Sequence, residues 1–178
     1  SGLVMAPTLE YSPKIQELIE NDFPIVIVDR RMKEMEVDTV TINNFEASAK
    51  AVCHLANLGH SEIGYIGGPN HLSSANDRFL GFKEGLKQAN INFNEKWVSF
   101  GNYKMESGYL LTEKLISCKD LPSAILVANN EMVIGCLNKI HEEGLRVPKD
   151  LSIISFDDFP WSISLNPPLT AIAQPTKE

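Results

Sequence analysis

Cysteine is scarce. The chain has three, Cys53, Cys118 and Cys136, odd in number and widely spaced. That argues against a disulfide framework and against a zinc site, and it suits a reducing cytoplasm. Positive charge is also short: 16 Lys and Arg stand against 23 Asp and Glu, a formal net charge of −7. The densest basic run is Arg30-Arg31 with Lys33 nearby. A surface of that sign is repelled by phosphate backbones, so this segment is not the part of a protein that grips nucleic acid. No apolar run approaches a membrane span, and no signal peptide precedes the first strand-like segment. Repeats, low-complexity tracts and flexible linkers are absent as well.

Catalytic signatures are equally missing. Gly67-Gly68 is not followed by Gly-Lys-Ser/Thr, and no Gly-x-Gly-x-x-Gly opens a helix, which excludes the usual nucleotide loops. There is no Gly-x-Ser-x-Gly, and His54, His60, His71 and His141 fall on helices or turns. His60 reads as structural, fixing a helix-to-strand turn. The paired carboxylates Asp157-Asp158 lack a His or Asp partner at ligand spacing, so they make no metal site. Nothing implies a cofactor or an enzyme.

With 43% hydrophobic residues in 178, the chain can bury a real core. Apolar runs at 3–6, 24–28, 39–42, 63–66, 97–100, 124–128 and 151–156 alternate with amphipathic stretches at 13–21, 44–58, 75–89, 106–117 and 131–143. This is the pattern of an α/β fold with parallel sheets covered by helices. Asn44 reads as the N-cap of the second helix and Gly59 as its stop. A further short extended run follows Pro167-Pro168.

In such folds ligands bind at the carboxyl ends of the strands. Asp29, Asn129 and Asp157 each stand at or just after a strand-like run. From position alone, Asp29 serves equally well as a turn cap or as a hydrogen-bond acceptor in a cleft. Asn130 reads as the helix cap, which leaves the Asn129 amide free to face the crevice. Spacing alone makes Arg78 a solvated surface residue. Its guanidinium fork becomes a ligand clamp only if that helix start faces a cleft. Tyr103 and Trp161 are aromatics in polar loops, where a ring is either a surface lid or a face for a sugar to pack on.

Several motifs in order resemble the lactose-repressor/galactose-repressor (LacI/GalR) family of bacterial transcription regulators. They are Leu3-Val4-Met5-Ala6-Pro7, Pro24 to Arg30, Asn43-Asn44 with Ala47, His54-Leu55 with Leu58-Gly59-His60, and Ile63 to Pro69. Arg78 to Phe82, Ser123 to Asn130, and the run from Gly144 through Ser155-Phe156-Asp157-Asp158 and Pro167-Pro168-Leu169-Thr170 to Gln174-Pro175 complete the series. The resemblance implies two Rossmann-like subdomains of the periplasmic binding protein-like type I fold, truncated at both ends. It implies a partial N-subdomain over residues 1–43, a C-subdomain over 44–170 and a return crossing over 171–178. It implies effector contacts from Asp29, Arg78, Tyr103, Asn129 and Asp157, with Ser73, Ser74 and Trp161 as weaker candidates.

The partners implied are a sugar-like small-molecule effector, a second copy of the chain, and operator DNA. The DNA would be held by a helix-turn-helix headpiece that this sequence does not contain, and two half-sites need two headpieces. Three positions depart from the family pattern: Asn130 replaces an Asp, Ser155 a Gly and Ala171 a Thr. A periplasmic sugar-binding protein of a transport system is the alternative on the same fold. The wording around Gly59-His60 and from Pro167 to Pro175 favours the regulator.

Overall fold

A strand covered on both faces needs apolar side chains at successive positions. Ile63–Gly67, Ala124–Val127 and Ser152–Phe156 meet that need, with all but Ser152 fully buried. The computed structural model describes residues 1–175. In order it contains β1 (Leu3–Met5), α1 (Pro13–Glu20), β2 (Ile25–Val28), β3 (Asp38–Val40), α2 (Asn44–Asn57), β4 (Ile63–Gly67) and α3 (Ser73–Gln88). Then come β5 (Val98–Phe100), α4 (Met105–Ile116), β6 (Ala124–Val127), α5 (Asn130–Glu142), β7 (Ser152–Phe156) and β8 (Thr170–Ile172).

The strands form two parallel sheets, one in the order β1-β2-β3 and the other β5-β4-β6-β7-β8. In the larger sheet, alternation along β6 sends side chains to opposite cores. Ala124, Leu126 and the following Ala128 join Val52, Leu55, Phe82 and Leu86 beneath α2 and α3. Ile125 and Val127 join Leu115, Met132, Val133, Cys136 and Ile140 beneath α4 and α5. In the smaller sheet, Ile25 and Ile27 pack with Ile15 of α1 and with Met32.

Glycine lets each helix pair close up. A Cβ on Gly81 would lie 2.1 Å from the Phe45 carbonyl oxygen of α2, and one on Gly135 would lie 2.0 Å from the Met105 carbonyl oxygen of α4. Neither position has room for a side chain.

Between Val40, the last residue of β3, and Asn44, the first of α2, three residues carry the chain from one sheet to the other. Strand β8 keeps the chain in the larger sheet as far as Ile172. The return expected over 171–178 has its last residues, 176–178, outside the described part.

Two caps differ from the sequence expectation. Asn43, not Asn44, caps α2: its side-chain oxygen accepts from the Glu46 N–H at 3.0 Å. Asn44 is buried and bonds elsewhere. Likewise Asn129, not Asn130, caps α5 by accepting from the Met132 N–H at 3.0 Å. In both places adjacent asparagines compete, and the backbone break falls at the first. Trp97 belongs to a 3-10 turn, Glu95–Trp97, ahead of β5; its indole N–H donates to the Asp120 carbonyl at 2.7 Å. His60 makes the structural bond expected of it, 2.9 Å to the Ser123 hydroxyl.

Candidate ligand-binding site

The strand ends bring Asp29, Arg30, Ser74, Arg78, Tyr103, Asn129, Asp157 and Gln174 around one pocket of about 240 Å³. Asp29 follows β2 of the smaller sheet. Tyr103, Asn129 and Asp157 follow β5, β6 and β7 of the larger, and Ser74 and Arg78 lie in the first turns of α3 after β4. The pocket thus lies between the two sheets at their carboxyl ends, where open parallel sheets leave a crevice.

Arg78 is 4% exposed. The surface role that spacing alone suggested is therefore overturned, because α3 starts over the sheet rather than beside it. Its guanidinium lies 3.6 Å above the Phe156 ring. Its Nε donates to the Asn44 side-chain oxygen at 2.7 Å, and Nη1 donates to the Ala128 carbonyl at 2.6 Å. Among the described residues its Nη2 makes no hydrogen bond, and no carboxylate pairs with it within salt-bridge distance. A cation over a desolvated ring gains about 2 kcal/mol, far less than dehydrating it costs, so its unused donors favour an added acceptor.

The two carboxylates are each half engaged. Arg30 donates twice, at 2.9 and 2.7 Å, to one oxygen of Asp29. Gln174 donates its amide N–H to one oxygen of Asp157. Among the described residues the second oxygen of each accepts nothing. The Asn129 amide nitrogen donates to the Tyr103 carbonyl at 3.4 Å and to the Asn130 side-chain oxygen at 3.0 Å. Its oxygen is committed to the cap.

Tyr103 has φ +66°, and its ring passes over Gly68, where a Cβ would lie 2.1 Å from it. Burial pushes its phenol above the ordinary pKa, against the pull of Arg78 and Arg30. Among the described residues the hydroxyl is buried with no hydrogen-bond partner. Asp29 and Asp157 also have left-handed backbones, at φ +74° and +76°. Three non-glycine residues held in that sparse region thus meet at one pocket, and such strain gathers at ligand clamps.

Two of the weaker candidates are not brought to the pocket. Ser73 points away: its Oγ accepts from the Arg31 N–H at 2.8 Å. Trp161 stacks on Phe159 at 5.3 Å and packs on the α5 side of the core, because the Pro160–Ser164 turn folds back there. Arg30 and Gln174 were not singled out from the sequence. Arg30 follows a candidate directly, a signal that was there to use. Gln174 follows β8 by two residues, a place that only the pairing of β8 with β7 reveals. At Ser155, where the family pattern has Gly, the hydroxyl lies 3.0 and 3.1 Å from the carbonyls of Phe156 and Asp157. It braces the strand end and stays out of the pocket.

A larger groove of about 570 Å³ runs between α2 and β8. Its acid and base, Glu46 and Lys50, satisfy each other at 2.8 Å, and the rest of its lining is mostly apolar. It lacks the convergent, half-used polar groups that fix a ligand.

Residues 52–178 match the model of the periplasmic binding protein-like domain. The HTH-type transcriptional repressor PurR of Vibrio vulnificus (strain CMCP6) is 30% identical over 177 residues, which is 98% of this chain and 52% of that protein. A LacI-family regulatory protein from Chloroflexus aggregans superposes with a TM-score of 0.88 at 30% identity, covering 98% of this chain and 63% of that one. A complex of the transcriptional regulator CelR with cellobiose gives 0.89 at 28%, covering 99% and 54%. The chain thus spans about half the length of the curated relatives it matches. It belongs to the periplasmic binding protein-like domain family, and within it to the LacI/GalR kind.

Proposed function

We propose that this chain senses a small polyhydroxylated effector, a sugar or sugar derivative, for a LacI-type transcriptional repressor in the cytoplasm. One observation carries the reading: Asp29, Arg78, Tyr103, Asn129 and Asp157 meet at one pocket, where Arg78 keeps unused donors, Asp29 and Asp157 each keep an unused carboxylate oxygen, and the Tyr103 hydroxyl has no partner among the described residues. Carboxylates accept from adjacent hydroxyls, the guanidinium donates to them, and the Tyr103 ring supplies an apolar wall. About 240 Å³ lies just below the usual 300–1,000 Å³ of ligand pockets and suits a single-ring ligand. That a similar structure holds cellobiose supports the sugar class.

Residues 1–43 act as one unit and 44–170 as the other, with the crossings as hinges. Ligand closes the units on itself, and in a homodimer that changes the spacing of two DNA-binding headpieces. Such coupling is worth roughly 1–3 kcal/mol. A thermal-shift panel of pentoses, hexoses, their phosphates and purines tests the reading. A ligand at a hundredfold excess over Kd stabilises by about 2.7 kcal/mol. A sugar should raise the melting temperature of the wild type and fail to raise that of Asp157→Ala. Stabilisation by a purine alone would refute the sugar class.

A further inference from the structure

We infer that Arg31, Asp77 and Ser73 form a latch that joins the two sheet-bearing units beside the pocket, so that Arg31 positions the ligand-binding groups without touching ligand. Among the described residues, every hydrogen bond between residues 1–40 and residues 44–175 is made at Arg31. Its backbone N–H donates to the Ser73 Oγ at 2.8 Å, and the Ser73 hydroxyl donates back to the Arg31 carbonyl at 3.3 Å. Its Nη2 donates to both carboxylate oxygens of Asp77, at 3.0 and 2.8 Å.

The latch and the pocket are offset by one residue on both sides. On the loop after β2, Asp29 and Arg30 line the pocket and Arg31 makes the latch. On α3, Ser74 and Arg78 line the pocket, while Ser73 and Asp77 hold the latch. Each pair is spaced i, i+4, so they form two neighbouring stripes of one helix. Parting the units at the pocket therefore breaks the latch. The loop itself is fixed within the first unit: the Asp29 N–H donates to the Val40 carbonyl at 3.0 Å, and the Lys33 N–H to the Glu10 carbonyl at 2.8 Å. Arg31 is held out from a rigid base.

The ion pair is partly exposed, 55% at Arg31 and 21% at Asp77. Its share in the closed-to-open ratio is accordingly modest, about twofold to fivefold, and falls as salt rises. The apparent Kd of a ligand that needs the closed form scales inversely with the closed fraction. That consequence rests on the ligand reading above; the test below contains no ligand, so the latch and that reading fail separately.

Amide hydrogen exchange of the chain reads the latch directly. In Asp77→Asn the Arg31 amide should exchange about twofold to fivefold faster. In Ser73→Ala, which removes the acceptor itself, it should exchange at least about tenfold faster. The Asp29 and Lys33 amides, bonded within the first unit, should stay at wild-type rates in both. Small-angle scattering should show a larger radius of gyration for Asp77→Arg, restored in Asp77→Arg/Arg31→Asp. Unchanged Arg31 exchange in both variants would overturn the latch. Equal acceleration of Asp29, Arg31 and Lys33 would overturn it too, since that signals unfolding of the first unit and not opening.

Discussion

Asp29 and Asp157 leave their strands in the same way, one in each sheet. Each has a left-handed backbone, and each N–H still donates at 3.0 Å to the last residue of the neighbouring parallel strand, Val40 of β3 or Ile172 of β8. The ladder runs one residue past the strand while the side chain turns toward the crevice. An L-residue held there costs about 1–2 kcal/mol, less for a short polar side chain. Two carboxylates are placed on opposite walls of one pocket by one local device.

The backbone and side-chain parts of that device separate in two substitutions. Asp157→Ala and Asp157→Gly should both weaken effector binding by roughly 2–5 kcal/mol, because each leaves ligand donors and Gln174 without their acceptor. Only alanine keeps the positive φ strained, so Asp157→Gly should be the more stable of the two by about 1 kcal/mol. Urea unfolding beside calorimetric titration measures both. Equal stabilities would show that the left-handed backbone carries no strain.

Asn44 does not line the pocket, yet it holds Arg78 at 2.7 Å while its own N–H bonds the Ile42 carbonyl at 2.9 Å. It ties a pocket residue to the segment between the sheets. Asn44→Ala leaves a buried guanidinium N–H unsatisfied, a loss of about 1–3 kcal/mol of stability. Effector affinity should fall with it. If chemical denaturation shows a full loss and calorimetry shows none, Arg78 does not depend on Asn44 for its pose.

Gly81→Ala and Gly135→Ala each push a methyl group into a carbonyl about 2 Å away. Each should lower stability by roughly 1–3 kcal/mol through overpacking. Lying on opposite faces of the sheet, they should be additive to within about 0.5 kcal/mol. A strongly non-additive double variant in urea would mean that the two helix pairs are coupled through the sheet.

Asp150 gives a pH signature away from the pocket. Arg146 donates to it by side chain and backbone, at 2.7 to 3.0 Å, and holds its carboxyl down to about 2, from an ordinary 3.8. A carboxyl whose folded pKa is depressed stabilises above its unfolded pKa and stops doing so as pH falls through the folded one. The melting-temperature advantage of wild type over Asp150→Asn should be flat above about pH 4 and vanish toward pH 2. An advantage that persists at pH 2 would assign it to packing.

The parallel sheets were legible because buried strands and amphipathic helices write opposite periods into the chain, and Ala124–Val127 or Asn130–Glu142 need no partner to be recognised. The strand-end candidates Asp29, Asn129 and Asp157 were legible for the same reason. Arg78 was not: periodicity says which side chains share a helix face, but not whether that face meets water or the Phe156 ring. Which of Asn43 and Asn44, or of Asn129 and Asn130, caps its helix turned on where the backbone leaves the extended region, one residue from where composition points. Ser73 and Ser74 are the same residue type side by side, yet one meets Arg31 and the other the pocket. A step of one residue turns a side chain by about 100° around a helix, so only the packed neighbours decide what it meets.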